Sequence, residues 1–281
     1  ASGKSMRKMA LAGLAATMVA WSNGARADDQ PFITLYTTDT DTQYEKEIEQ
    51  TFIWSSQKPH QSFNGYLSRT EIEYGVTDDF QISGYLNYEW ERSSPHPPVG
   101  PDETWRAVSI SGEAIYRFLN PYFDPIGLAV YFEPTYGDNT RELEAKLLLQ
   151  KNFFNDSLRT AVNFNFENTW EREDGQWNKG SALEVFAGAA YNLTPEWSIG
   201  AELNNENDYE GLFGNSHNRT TAWYAGPTIS WVGPPFVVRF GPQFQLPWAS
   251  AHDPVPGTIS DGFVTDAERL RVGLRVSMDL P

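Results

Sequence analysis

The chain has 281 residues, no cysteine, and 40 aromatic side chains, with 21 basic residues against 37 acidic ones. A net charge of −16 removes nucleic acid as a partner, because that binding starts with neutralisation of phosphates by Lys and Arg. The wealth of rings does not suit a disordered acidic chain, the body has no apolar run of membrane-helix length, and without cysteine there are no disulfides and no thiolate metal sites.

Residues 1–27 read as a signal peptide. Lys4, Arg7 and Lys8 form a positive start, 9–21 is an apolar stretch too short to span a bilayer as a helix, and Ala25-Arg26-Ala27 supplies the cleavage signature. Met6 reads as the native start, with 1–5 a leading extension, and Asp28 as the mature N-terminus. The four basic residues before position 28 leave with this segment, so the 21 basic residues fall to 17 against 37 acidic ones and the net charge goes to −20. Residues 28–43 show no clear periodicity and are expected to form a periplasmic arm or a plug.

From residue 44 to the end at 281, apolar and polar positions alternate with a period of two. The spacing predicts twelve strands, at 44–56, 63–76, 80–91, 105–118, 126–136, 141–152, 158–170, 181–192, 197–205, 220–231, 236–246 and 268–280, with ten or fourteen as the alternative counts. Short connections alternate with longer ones at 57–62, 92–104, 137–140, 171–180, 206–219 and 247–267. Short inner turns, longer outer loops and an even strand number are the grammar of an outer-membrane barrel, so the predicted fold class is all-β, a transmembrane antiparallel β-barrel. Gln50, Asn168 and Lys46 fall on the apolar face, and Pro134, Pro227 and Pro242 interrupt ladders, which predicts local bulges.

The apolar face carries rings at both strand ends. Trp54, Tyr66, Trp90, Trp105, Trp170 and Trp223 lie near the longer connections, and Tyr44, Tyr74, Phe80, Phe118, Tyr191, Trp197, Trp231 and Phe236 near the short turns. Two such girdles suit two membrane interfaces. The polar face is expected to line a lumen. Its acidic set is Glu45, Glu47, Glu49, Glu71, Glu73, Glu89, Glu113, Glu133, Glu142, Glu144, Glu167, Glu184 and Glu202, and its basic set is Arg69, Arg117, Lys146, Arg159, Arg239, Arg269, Arg271 and Arg275. The glutamates of the first strand should face the arginines of the last across the closing seam.

The runs Arg69-Thr-Glu-Ile-Glu-Tyr-Gly-Val-Thr-Asp78, Ile126-Gly-Leu-Ala-Val-Tyr-Phe-Glu-Pro134 and Glu142-Leu-Glu-Ala-Lys-Leu-Leu-Leu-Gln-Lys-Asn152 resemble a family of Gram-negative outer-membrane barrels of unassigned role, catalogued loosely as transporters beside barrels linked to phenol-degradation gene clusters. The resemblance implies an outer-membrane barrel and carries no substrate. The family favours an aromatic last residue for the insertion machinery, whereas this chain ends Leu280-Pro281.

The function expected is a passive channel or transporter for small solutes with a net acidic lumen. A plugged barrel with a structural, adhesive or binding role is the alternative, and a lipid-modifying hydrolase a weaker one. His60, His96, His217 and His252 all fall in expected outer loops, with only His60 near Ser55 and Ser56, so no enzymatic role and no catalytic residue is expected. Asp138, Asp174, Asp208 and Glu210 could bind calcium but read as solvated loop acids, so no metal or cofactor is expected. Partners are outer-membrane lipid and lipopolysaccharide, the barrel-insertion machinery and a small solute.

Overall fold

The computed structural model describes residues 30–59, 61–95, 103–173, 175–213, 217–252 and 257–281; the signal segment lies outside them. The wall is built from β1 (Lys46–Ser56), β2 (Gln61–Thr77), β3 (Phe80–Pro95), β4 (Glu103–Leu119), β5 (Gly127–Gly137), β6 (Thr140–Phe153), β7 (Leu158–Glu173), β8 (Gln176–Asn192), β9 (Trp197–Glu210), β10 (His217–Gly233), β11 (Phe236–Gln245) and β14 (Leu270–Asp279). Neighbours pair antiparallel in chain order, β11 pairs with β14, and β14 pairs with β1, so the sheet closes with twelve strands and no free edge. β12 (Ile259–Ser260) and β13 (Phe263–Val264) form a separate small hairpin in the connection before β14.

Alternation sorts the side chains, and the sorting is inverted relative to a soluble domain. Glu47, Glu49, Glu71, Glu73, Glu113, Glu133, Glu202 and Arg239 are at most 5% exposed. Ile72, Leu86, Val108, Ile110 and Phe132 are half exposed or more. A polar interior with an apolar exterior is stable only where the exterior meets lipid. Gln50 sits on the outer face without loss, because its amide donates to Ser68 Oγ (3.0 Å) and the Arg69 carbonyl (2.8 Å) and accepts from Thr70 Oγ1 (2.6 Å). The prolines break ladders, but without the expected bulges, since the register is the same on either side of each gap. β4 and β5 pair at Ser111↔Thr135 and resume at Ala114↔Phe132, skipping Pro134, and β10 and β11 skip the positions between Ala225↔Phe244 and Ile229↔Phe240, around Pro227 and Pro242.

Two expected long connections are mostly strand. β7 and β8 continue through Trp170↔Lys179 and Arg172↔Trp177 to within two residues of each other, and β9 reaches Glu210 before β10 starts at His217. Pairing continues because an antiparallel hairpin satisfies its own backbone whether lipid or water surrounds it. The connection from β11 to β14 is long, as expected. Twelve strands about 4.8 Å apart, tilted by about 40°, make a ring roughly 24 Å across. Wall side chains fill an eight-stranded barrel but leave room in this one.

Candidate functional site

Residues 30–43 occupy that room. Gln30, Phe32, Leu35, Thr37, Thr38, Asp39, Thr40 and Asp41 are buried inside the wall. The segment has no strand partner, so its backbone groups are met by side chains from round the barrel. Glu202 of β9 accepts from the Ile33 N–H (2.5 Å), the Thr34 N–H (3.0 Å) and Thr34 Oγ1 (2.5 Å). The Asn163 amide of β7 accepts from the Tyr36 N–H (2.7 Å) and donates to its carbonyl (2.9 Å), imitating a strand. Gln150 of β6 accepts from the Thr38 N–H (2.7 Å), Gln81 of β3 from Asp41 (2.9 Å), and Asp78 from Gln43 (2.9 Å).

The wall is thinned where the arm lies. Phe32 and Leu35 pack with Ala161, Phe186 and Ala190, and Tyr36 packs with Ile115, Ala129, Tyr131 and Leu148. A Cβ on Gly273 would meet Ile33 Cγ2 at 2.3 Å, and one on Gly188 would meet Leu35 Cδ2 at 2.7 Å, so the close approach of arm to wall requires glycine at both.

Asp39 lies in the middle of this seat. Burial pushes its carboxyl above the ordinary range, opposed by Arg159 and by hydrogen bonds from Thr37 and Gln150. An acid whose pKa is raised on folding stabilises the folded state below its unfolded value near 3.8 and loses that stabilisation as pH rises through the raised value. The arm should therefore be held more tightly in acid. We expect the stability difference between wild type and Asp39→Asn, measured by urea titration in micelles, to change across this range, with wild type losing ground as pH rises. A pH-independent difference would remove Asp39 from the seat.

Glu49 of β1 is the centre of the charge network at the seam. It accepts from Arg275 of β14 (2.8 Å), Arg239 of β11 (3.1 Å) and Thr51 (3.0 Å). Arg239 also donates to the Gln30 carbonyl and Arg275 to the Ile33 carbonyl (3.3 Å), so the cluster ties three strands to the arm. Of the expected row of seam glutamates, Glu49 gathers two arginines. Arg271 turns instead to Glu206 (2.5 Å) and Glu268 (2.5 Å), and Arg269 stacks on Phe263 at 4.3 Å. Glu45 precedes β1 and accepts from Thr42.

The other residues of the polar set lie at inner positions of their strands, and most of the basic ones are compensated. Arg69 donates to Glu133 (2.7 Å), Lys146 pairs with Glu144 (3.0 Å), Arg117 pairs with the turn residue Asp79 (2.9 Å), and Arg159 is buried near Asp39. Glu113 accepts from the Tyr85 hydroxyl and Glu71 lies buried nearby. Glu47, Glu49 and Glu73 bring carboxylate oxygens within 4.8 Å of one another, but Glu49 carries its two arginines and Glu73 accepts from Gln81. Asn165 donates to Glu184 (3.1 Å).

On the loop side of the arm the lumen is open. One cavity of about 760 Å³ is lined by Glu167, Glu171, Glu206, Asp208, Glu210 and Glu268 among others, and a second of about 590 Å³ by Glu89, Glu91, Glu142, Glu167 and Glu171. The carboxylates of Glu91, Glu171, Glu206 and Glu268 were not among the expected lumen set, although Glu91 and Glu171 continue the inward parity of their strands. Trp105 corrects the girdle. It pairs with Glu91 and lines the second cavity, because inward positions of β4 are the odd ones shared with Ser109, Ser111 and Glu113. The remaining girdle residues keep the outer parity, with Tyr66 on Trp90 (5.4 Å), Trp197 on Trp231 (6.4 Å) and Trp223 on Trp248 (6.1 Å).

Of the histidines, His60 and His96 lie outside the described residues, His217 opens β10 and His252 is exposed in the long connection. Asp174 also lies outside them, while Asp208 accepts from Thr220 (3.0 Å).

A closed twelve-stranded antiparallel barrel with a polar interior, an apolar exterior and an internal N-terminal segment defines a β-barrel of the outer-membrane kind. Residues 24–248 match the family of unknown function DUF6662, and the chain belongs to that family. No protein of curated function matches the sequence. Solved structures with this fold include the COG4313 outer membrane channel from Pseudomonas putida F1 (12% identity, 90% of this chain and 99% of that one, TM-score 0.57). The NanC porin is similar over 84% of this chain and 100% of its own (10% identity, TM-score 0.52). The translocator domain of the autotransporter NalP from Neisseria meningitidis is similar over 86% and 90% (11% identity, TM-score 0.50). Channels and a secretion translocator share the architecture, so function has to be argued from the lumen.

Proposed function

We propose that the chain is an outer-membrane channel of a Gram-negative bacterium that passes small solutes through a net acidic lumen, with residues 30–43 as a plug on the short-turn, periplasmic side. The observation that carries this reading is the pair of carboxylate-lined cavities on the loop side of the arm. Carboxylates outnumber the Lys and Arg in both linings, and an aqueous vestibule of net negative charge concentrates cations and repels anions. Porin and channel structures of the same fold support the reading, and the clamped arm favours a second one, a plugged barrel that binds without conducting.

Planar-bilayer recording on the refolded protein separates the two. The channel should be weakly cation-selective in dilute salt, with selectivity fading as the Debye length drops from roughly 30 Å at 0.01 M to about 3 Å at 1 M. Glu113 accepts from Tyr85, and Glu133, which lines the same cavity as Glu142 and Glu167, is paired with Arg69, so both should matter less than those two. Glu142→Gln with Glu167→Gln should move the reversal potential toward zero. Anion preference in the unmodified protein would overturn the acidic-lumen reading, and silence would favour the plugged barrel.

A further inference from the structure

The outer face of the barrel carries a dent, and basic side chains stand at its loop end. Gly84 of β3 and Gly112 of β4 pair directly on the outer parity, and Pro134 follows on β5. A Cβ on Gly84 would meet nothing within 4 Å, and one on Gly112 only Ser83 O at 4.0 Å, so the belt is recessed where its neighbours carry large side chains. A groove of about 800 Å³ runs here, lined by Ile110, Gly112, Pro134, Leu143 and the rings of Tyr136 and Trp177.

Cationic side chains border it toward the loops. Arg141 of β6 holds its guanidinium 5.2 Å from the centre of the Tyr136 ring and 4.9 Å from that of Trp177. It makes no ion pair among the described residues. The register Arg141↔Trp170↔Lys179 places Lys179 on the same outer parity two strands away, a separation of about 10 Å at sheet spacing. Arg172 lies one outward step further along β7, opposite Trp177. A chain of net −16 has thus placed three basic residues at outward positions of the strand ends that carry the Trp girdle, where Lys179 and Arg172 also border the two lumen cavities.

We propose that this groove is a lipid site, taking an acyl chain of a doubly phosphorylated acyl glycolipid of the outer leaflet, with one phosphate on Arg141 and the other on Lys179. The inference rests on the membrane-spanning, loops-outward reading above. Aromatic stacking on the guanidinium leaves its N–H groups directed away from the rings, where a phosphate accepts them with charge assistance. Two cationic centres roughly two strand spacings apart suit two phosphates better than the single one of a phospholipid. The recess beside them gives an acyl chain a surface to pack against in place of a smooth wall.

The test uses the folded full chain, first in vesicles and then in detergent. Insertion is read by resistance of the wall to added protease and by heat-modifiable migration. Bisphosphoryl lipid A, monophosphoryl lipid A and phosphatidylglycerol are then titrated separately and bound lipid is counted by native mass spectrometry. One bisphosphoryl lipid A should be retained, with monophosphoryl lipid A and phosphatidylglycerol each weaker by roughly tenfold or more. Arg141→Ala with Lys179→Ala should lose that preference. Gly112→Leu, which fills the recess without touching a cation, should weaken retention while the barrel still inserts. Failure to insert would bring down the membrane reading and the site together. Insertion with equal retention of all three lipids, or with retention untouched by both variants, would overturn the site alone, and neither result depends on whether the lumen conducts.

Discussion

Deleting residues 30–41 should raise the conductance of the reconstituted barrel by roughly tenfold or more, since a ring of twelve strands keeps an aqueous bore once its internal segment is gone. The wall is closed by its own ladder from β1 to β14, and no strand pairing runs through the arm, so the sheet should survive the deletion. The arm also contributes Phe32, Leu35 and Tyr36 to interior clusters, which makes a milder pair of variants a necessary companion. Glu202→Ala removes three hydrogen bonds from the arm backbone and Thr34, and Asn163→Ala removes two more. At about 0.5–1.5 kcal/mol for a neutral bond and about 1.5–3 kcal/mol for one to a charged group, the pair should weaken the seat by at least about 3 kcal/mol. That is roughly a hundredfold in the population with the arm displaced. Single-channel records should then show longer or more frequent open events at unchanged full conductance. Unaltered conductance in the deletion, with a folded barrel, would mean that the arm does not limit passage.

The second large effect is expected at Glu49. Glu49→Gln keeps the shape but leaves Arg239 and Arg275, both almost fully buried, without the carboxylate they share. Breaking a buried pair from one side costs about 3–5 kcal/mol, because the surviving charge stays desolvated. The loss falls where the last strand meets the first and where Arg239 and Arg275 hold the Gln30 and Ile33 carbonyls, so both seam closure and arm seating should suffer. Urea titration of heat-modifiable migration should show the drop. Replacing Glu49, Arg239 and Arg275 together by apolar residues should recover part of it, because no lone charge remains. A change in Glu49→Gln below about 1 kcal/mol, the size of an exposed pair, would show that the cluster is solvated in the working protein.

The strand period is local information, and it carries far. Alternation of Phe80, Ile82, Leu86 and Tyr88 with Gln81, Ser83, Tyr85 and Asn87 assigns each residue to a face, and repeating it through β14 determines the twelve strands, the polar interior and the apolar exterior. One-position errors are then costly. Placing Trp105 in the outer girdle is one such error, because the even, outward parity of Val108 and Ile110 puts this odd position in the lumen. Length is also underdetermined, because Arg172, Trp177 and Lys179 read as a loop between strands until their pairing is seen.

What the period cannot convey is which inner residues face water and which face the arm. The arm has no alternation of its own, and its partners Glu202, Asn163 and Gln150 stand more than a hundred positions away along the chain. One signal was present in retrospect: small residues at inward positions, Ala129, Ala161, Ala190, Gly188 and Gly273, which a water-filled lumen would not require. The sequence by itself determined the barrel and its polarity, because these follow from the period of two. Only the tertiary structure decided that Glu49 and Glu133 are neutralised while Glu142 and Glu167 line open space, because compensation of charge depends on which strands closure makes neighbours and on what the interior segment covers.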